Sequence, residues 1–578
     1  MIKFLLTVSV SCLILSNLVS CNSGPSLKTT DISTDSAAIS SGETSFNKYC
    51  GGCHNFKQDA IGPQLEGLTS AVSAEWIQNF VRDPKNVIES GDERANELHK
   101  KYKVTMPSFS HLSNIEIHNI IAYLNTHKSP RNSVPKDEDS ISNPIPEPIE
   151  LSDLTVEIEL VAQIPPSIEG GQVPVARITK LDYERQTGKS FILDLRGKLY
   201  KLQNNKPVVY MDMARLNTKF IHEPRVATGF GSFAFHPNFA KNGLLYTTHA
   251  EAPGSGKADF SFADSIKVTL QWVLTEWKST NPHSASFSGT SRELLRVNMV
   301  TGMHGVQEIA FNPLSQPGTK DYGMLYVCIG DGAAVEEGYP FLTHTTDKVW
   351  GTILRLNPAG NNSSNGRYGI PSNNPFANQD NRKLGEIYAY GFRNPHRITW
   401  TKTGQMLVGN IGQGQIEAIY LVQPGHDYGW PLREGDFVLH PQGDLNKIYP
   451  LAENDSIHKI TYPVAAYDHD EGIAISGGYE YWGSSIAQLQ GKYLFGDIAT
   501  GRLFYLNVAD IKPGKKAPIR EWKISIEGKP QTLRGLCKND RADLHFGRDS
   551  KGELYILTKT DGKVYKLTGA NMNITAVP

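Results

Sequence analysis

The chain has 578 residues, 39% of them hydrophobic and 20% charged, and a formal net charge of −1. That length exceeds what one hydrophobic core ordinarily supports, so at least two domains are expected. The balanced charge offers no basic footprint and no acidic tail, which excludes nucleic acid as a partner.

The first segment, "MIKFLLTVSVSCLILSNLVSC", has one early lysine, an apolar run too short and interrupted for a membrane span, and small or apolar residues before Cys21. Residues 1–20 read as an export signal. "LVSC" resembles the bacterial lipobox, which implies that Cys21 becomes the first mature residue and carries a lipid anchor at the periplasmic side of a membrane or the cell surface. An ordinary secretory signal is the alternative. The polar, Ser/Thr-rich stretch 21–44 then reads as a flexible tether.

"YCGGCHNF" follows, with Cys50, Cys53 and His54 in the C-x-x-C-H pattern of c-type haem attachment. Two thiols three residues apart reach two vinyl groups of one porphyrin, and His54 falls beneath the iron. A zinc half-site would need a second ligand pair, and a thioredoxin-like pair would need a βαβ context. The second axial ligand is expected from "KVTMPSF" as Met106, with His99 and His111 as alternatives. With "IGPQLEGL", "SAEWIQNFVRDP" and a closing helix "SNIEIHNIIAYLNTH" whose sticky face is Ile115, Ile120, Ile121 and Leu124, residues 45–127 resemble a class I cytochrome c. The resemblance implies a small all-α domain with one covalent haem c, whose Met/His ligation gives a potential suited to accepting electrons.

Residues 128–150, "KSPRNSVPKDEDSISNPIPEPIE", are rich in proline and charge and read as a semi-extended linker from which the haem unit could swing. From Leu151 the pattern changes to short apolar strands punctuated by Gly, Asn, Asp and Pro. A similar element recurs at residues 191, 242, 323, 404, 491 and 552. Six unequal repeats of this kind predict an all-β propeller over 151–578, with six blades the natural count and seven still open. Cys328 and Cys537 then fall on roughly opposite sides of the ring and are expected to stay unbonded.

The runs "GSFAFHPNF", "LYVCIGDG", "GTILRLNPAG", "EIYAYGFRNPHRITW", "NIGQGQIEAIYLVQPGHDYGWP" and "AISGGYEYWG" resemble the glucose/sorbosone dehydrogenase family over about residues 155 to 570. The resemblance implies an aldose or alcohol dehydrogenase using pyrroloquinoline quinone (PQQ) and Ca2+. It implies His304 as catalytic base, Asp331 as its orienting carboxylate, Arg393 and Asn394 on the cofactor's carboxylate and quinone oxygens, and Gln413 and Gly414 near the cofactor and its calcium. The sequence departs from the family in three places. The family glutamine falls on Ala227 or Thr228, no lysine stands in "DIATG", and the late arginine pair is represented by Arg534 or Arg541. With its haem, such a protein would pass electrons from a sugar or alcohol to a downstream cytochrome or respiratory chain. Two other functions fit the same architecture: a cofactor-less propeller that binds carbohydrate or protein, and a calcium-dependent hydrolase of the lactonase type. Substrate-binding insertions are expected at 251–291 and 437–458.

Overall fold

A computed structural model describes residues 32–51, 53–56, 61–128, 139–168, 172–225, 227–378 and 383–572. The export signal and Cys21 lie outside these residues. Among the described residues no helix is long and apolar enough to cross a membrane.

The N-terminal unit is helical, its main helices being Ser36–Tyr49, Ala74–Arg82, Glu93–Tyr102 and Asn114–Leu124. Their starts are written in the sequence: Asp35, Ser73 and Asp92 each accept a backbone N–H from the first turn, and Ser113 with Glu116 forms a reciprocal capping box. Two expectations need correction here. The first helix begins at Ser36, inside the stretch 21–44 expected to be a tether. Its small residues serve close packing, since a Cβ on Gly42 would sit 1.9 Å from the Asn119 carbonyl oxygen of the closing helix. In that closing helix the buried stripe is Ile117, Ile120, Ile121 and Leu124, whereas Ile115 is 72% exposed. Position 115 falls off the i, i+3, i+4, i+7 face.

The C-terminal unit is a ring of six four-stranded blades. Their innermost strands are Ile178–Tyr183, Phe230–Phe235, Glu308–Phe311, Asn394–Trp400, Tyr479–Glu480 and Leu544–Arg548, each touching the next and the last touching the first. Blades 1 to 5 run outward by antiparallel pairing to Lys206–Asp212, Gly289–Met299, Ile387–Tyr390, Ala465–Asp468 and Arg520–Ile526. Blade 6 is completed from the other end of the chain, because Glu150–Gln163 pairs antiparallel with the final strand Lys563–Met572 and also lies parallel to Arg520–Ile526. The middle strands are buried on both faces, as in Leu325–Ile329 and Thr352–Leu356, where every residue is buried between neighbouring blades.

Near the axis, blades are tied by buried charge. Lys180 Nζ donates to Glu308 Oε1 at 2.6 Å and Ser232 Oγ at 3.2 Å, while Arg397 pairs with the other oxygen of Glu308 and donates to the Thr179 carbonyl at 2.7 Å. One carboxylate thus joins blades 1, 3 and 4, its charge matched by two cations rather than left alone in the interior.

The described end of the linker is not free. Ile141 pairs with Ile448 through its N–H at 2.9 Å, and the N–H groups of Ile145 and Ile149 donate to Asp468 and Glu471. Ile141 and Ile145 pack against a cluster containing Trp430, Leu439 and Ile448. The segment 251–291 contains the blade strand Leu270–Ser279 and the start of Gly289–Met299, with the loops 252–269 and 280–288 around them, and 437–458 contributes to a separate three-stranded sheet. Cys328 is buried in blade 3 and Cys537 ends the short helix before blade 6; both are free thiols.

Candidate functional site

The first site lies in the helical unit. Cys50 follows the helix Ser36–Tyr49 and donates its N–H back to Phe46 O, and the turn carries on with Cys53 and His54 each donating to Cys50 O at 3.0 Å. Cys50, Cys53, His54 and Met106 line one cavity, walled by Phe46, Leu65, Trp76, Ile77, Phe80 and Leu124. His99 also borders it, from the exposed face of its helix; His111 does not, and packs on Tyr49 and Phe109 instead.

His54 Nδ1 sits 2.9 Å from the Pro63 carbonyl, which can only accept, so Nδ1 carries the proton and the ring's lone pair is at Nε2. Gly62 is required beside it, since a Cβ there would fall 2.5 Å from His54 Cε1. Burial, and then the neighbouring Cys53, push the Cys50 thiol up to about 12, so it is held neutral.

The second site lies at the end of the propeller where the chain enters the inner strands. His304 precedes blade 3, in the left-handed region at φ 46°, a strained conformation for a non-glycine residue. Its loop is closely packed: a Cβ on Gly305 would lie 2.1 Å from the Trp272 indole nitrogen, and one on Gly330 2.3 Å from the His304 carbonyl oxygen. His304 Nδ1 is 2.7 Å from Asp331 Oδ1, with His304 5% exposed and Asp331 fully buried. Asp331 also accepts from Ala333 N–H at 2.8 Å and from the Trp430 indole N–H at 2.9 Å. The carboxylate is therefore fixed by three donors, and it in turn fixes the imidazole with its lone pair on Nε2.

Arg393, on the turn into blade 4, donates to Glu336 at 2.6 Å and Gln413 Oε1 at 2.8 Å, and stacks over Trp430. Asn394 starts the inner strand, with its N–H on Asn410 Oδ1. Gln413 and Gly414 belong to a turn in which four successive N–H groups, from Gln413 to Ile416, converge on Glu434 Oε1 at 2.7 to 3.0 Å. All the expected propeller residues are thus buried at one end of the ring. His304, Asp331, Arg393 and Gln413 are linked through Glu336 and Trp430, which the motif matching did not single out.

Three contacts lie at or near the places where the sequence departs from the family pattern. An amide reaches Ala227 from Gln307, whose Nε2 donates to the Ala227 carbonyl at 2.9 Å. A lysine does stand near the site: Lys559, held below its ordinary range first by burial, is electrostatically coupled to Asp543, Arg541 and Arg177. Of the late arginines, Arg541 is the one paired with Asp543, at 2.7 Å.

Two histidines complete the set, His396 on the inner strand of blade 4 and His545 on that of blade 6. Their ring centroids are 5.4 Å apart, they are 7% and 0% exposed, and none of their four nitrogens has a partner among the described residues. Both are pushed well below the ordinary histidine range, chiefly by burial and then by Arg397 and Lys559. Gln413 Nε2 and Arg177 Nε lack partners as well. Alternation along "NPHR" does place His396 on the Asn394 side of its strand, but nothing local brings His545 to meet it.

The two sites face each other. Arg225, before blade 2, donates its N–H to the Asn47 carbonyl at 3.2 Å and its guanidinium to the Gly51 carbonyl. Lys103 meets Asp470, before blade 5, while Arg534 donates to the Lys103 carbonyl at 3.0 Å. Arg541, before blade 6, lines the haem-motif cavity and reaches Cys53 Sγ at 3.0 Å. All these loops lead into inner strands, as does the loop of His304, so the helical unit sits over the same end of the ring.

The fold and its sites define a cytochrome c domain seated on a six-bladed propeller with a buried histidine–aspartate pair. Residues 186–566 match the glucose/sorbosone dehydrogenase family, and the chain belongs to it; residues 39–128 match cytochrome c. Among curated relatives, the HIPL2 protein of Arabidopsis thaliana is 28% identical over 345 residues, 52% of this chain and 46% of the relative, so the chain spans about half the length of that protein. Quinoprotein glucose dehydrogenase B of Acinetobacter calcoaceticus is 25% identical over 401 residues, 61% of this chain and 77% of the relative. Among solved structures, the apo soluble aldose sugar dehydrogenase of Escherichia coli covers 72% of this chain and 100% of its own, with a TM-score of 0.50 and 17% identity, a likeness of fold.

Proposed function

We propose that the protein is an exported, lipid-anchored dehydrogenase that oxidises an aldose sugar or related alcohol with PQQ and passes the electrons to its own haem c. The observation that carries this reading is the fixed His304–Asp331 pair, set among partnerless polar groups and cations under a cytochrome domain.

Haem c fits the helical unit: two thiols, an imidazole with its lone pair at Nε2 and a thioether border one apolar cavity. It supplies a one-electron couple. PQQ, a planar tricarboxylate, fits the propeller site by charge and by hydrogen-bond demand. His396, His545 and Gln413 have donors unmet by the described protein residues, and Lys559 and Arg177 supply positive charge. Bound there, PQQ supplies an electrophilic quinone carbon that takes up hydride. Arg393 and Asn394 remain candidates for its oxygens, although Arg393 is already held by Glu336 and Gln413.

The chain's own part follows from geometry. With Nδ1–H donated to Asp331, His304 Nε2 takes the proton of the substrate hydroxyl, and Asp331 stabilises the imidazolium that results. Trp430 and Ala333 hold Asp331 against rotation. Calcium has weaker support. His304, Asp331 and Glu336 bring ligand atoms within 4.8 Å of one another, but the set contains an imidazole, Asp331 is already bound by three donors and Glu336 is paired with Arg393. That is not the array of oxygen ligands calcium takes. Backbone carbonyls are left as its source, and no step is assigned to it.

Electrons would leave the cytochrome for a soluble cytochrome or a membrane respiratory chain near the anchor. The deciding experiment reconstitutes the purified protein with PQQ and calcium, offers a panel of aldoses and alcohols, and follows haem absorbance. Haem reduction that depends on both quinone and sugar supports the reading. Failure with every substrate removes it in favour of a binding module or a hydrolase.

A further inference from the structure

Among the described residues, Arg541 is the one propeller side chain that lines the haem-motif cavity. Its guanidinium lies 3.0 Å from Cys53 Sγ, the atom that a c-type haem would bond, and is steadied by Asp543 at 2.7 and 3.2 Å. The chain then runs directly into the inner strand Leu544–Arg548 and reaches His545, whose ring faces His396. Arg541 and His545 are four residues apart, so their Cα atoms are separated by at most about 14 Å. A short piece of blade 6 therefore has one end at the haem's Cys53 edge and the other among the partnerless histidines of the propeller site.

We propose that Arg541 is a positioning residue that seats the haem edge on the propeller and, as a fixed positive charge beside it, raises the haem's reduction potential. Reduction of Fe(III) to Fe(II) removes one positive charge from the site, so a neighbouring cation favours the reduced state. Asp543 tempers that effect but also prevents the guanidinium from turning away. Lys103 with Asp470, and Arg225 with Asn47 and Gly51, hold the same face at other points, so the contact does not depend on one residue for docking. The inference extends the proposed function, resting on its haem assignment and not on its quinone or sugar.

The test is an equilibrium redox titration of the haem in the full-length protein, with dithionite and ferricyanide and no quinone or sugar present. Arg541→Gln is expected to lower the Fe(II)/Fe(III) ratio at fixed ambient potential by about tenfold, the weight of one nearby charge, equal to about 59 mV for a one-electron couple. Arg541→Lys keeps the charge and is expected to stay within about twofold of wild type. Unchanged haem absorbance per protein in both variants shows that the fold and the attachment are intact. An Arg541→Gln potential equal to wild type, or an Arg541→Lys potential that falls as far as that of Arg541→Gln, overturns the proposal. A protein that carries no covalent haem overturns the haem assignment itself, a result distinct from either.

Discussion

Replacing Asp331 by asparagine tests the base assignment with almost no change of shape. The carboxylate accepts from His304 Nδ1 at 2.7 Å, Ala333 N–H at 2.8 Å and Trp430 Nε1–H at 2.9 Å, and is fully buried. An amide has one oxygen for these three donors. If its NH2 faces His304, the ring must take the other tautomer, with the proton on Nε2, and the base is lost. If its NH2 faces Trp430, the indole N–H is left unpaired at a cost of about 1–3 kcal/mol, and the imidazolium formed in turnover has no counter-charge. Either way kcat is expected to fall by about 10³ to 10⁴, which is about 4 to 5.5 kcal/mol of transition-state stabilisation at 1.36 kcal/mol per decade. KM should move little, because Asp331 acts through His304 rather than on the substrate. The assay is sugar-dependent dye reduction by quinone-reconstituted enzyme, with haem absorbance as the control for folding. A kcat within tenfold of wild type would refute the role given to Asp331.

Two further outcomes can be measured without substrate. His396 and His545 are buried and held far below the ordinary value of 6.5, so below that pH the unfolded chain binds protons that the folded chain refuses. Stability therefore falls as pH drops through 6.5, by up to about 1.4 kcal/mol per pH unit for each ring. Thermal melts between pH 7.5 and 5.5 should show this slope, and it should be shallower in His545→Phe; identical slopes would count against it. Gly62→Ala places a Cβ 2.5 Å from the His54 ring and should lower haem absorbance per protein while leaving the propeller's thermal transition in place.

Much of the ring could be read from the sequence because its middle strands are buried on both faces. The repeats recognised near residues 191, 242, 323, 404, 491 and 552 each fall on the second strand of a blade, from Ser190–Asp194 through to Leu554–Thr558. Continuous apolar runs bounded by Gly and Asn turns identify such strands without any long-range information. The haem motif was equally legible, since its ligands are adjacent in sequence. The propeller site was only partly so. His304 and Asp331 were placed by motif, but Glu336, Trp430 and Glu434 act through tertiary contacts, and His545 meets His396 from 149 positions further along the chain. Residues 36–44 of the helix Ser36–Tyr49 read as tether because small polar residues look the same whether they are solvated or serve a close helix crossing.

The way the ring is closed bears on how the two units could be exchanged. Glu150–Gln163 is the outer strand of blade 6 and a parallel neighbour of Arg520–Ile526, and Ile141 to Ile149 is already bonded to the blades. A graft that replaced the electron-accepting unit at residue 150 or beyond would strip the seam and leave the edge of Lys563–Met572 open to pairing with another chain. A junction placed before residue 139 keeps the seam whole. For modular redesign, the boundary between the two units lies upstream of the first strand, and the propeller's smallest self-sufficient piece includes residues that precede it in the chain.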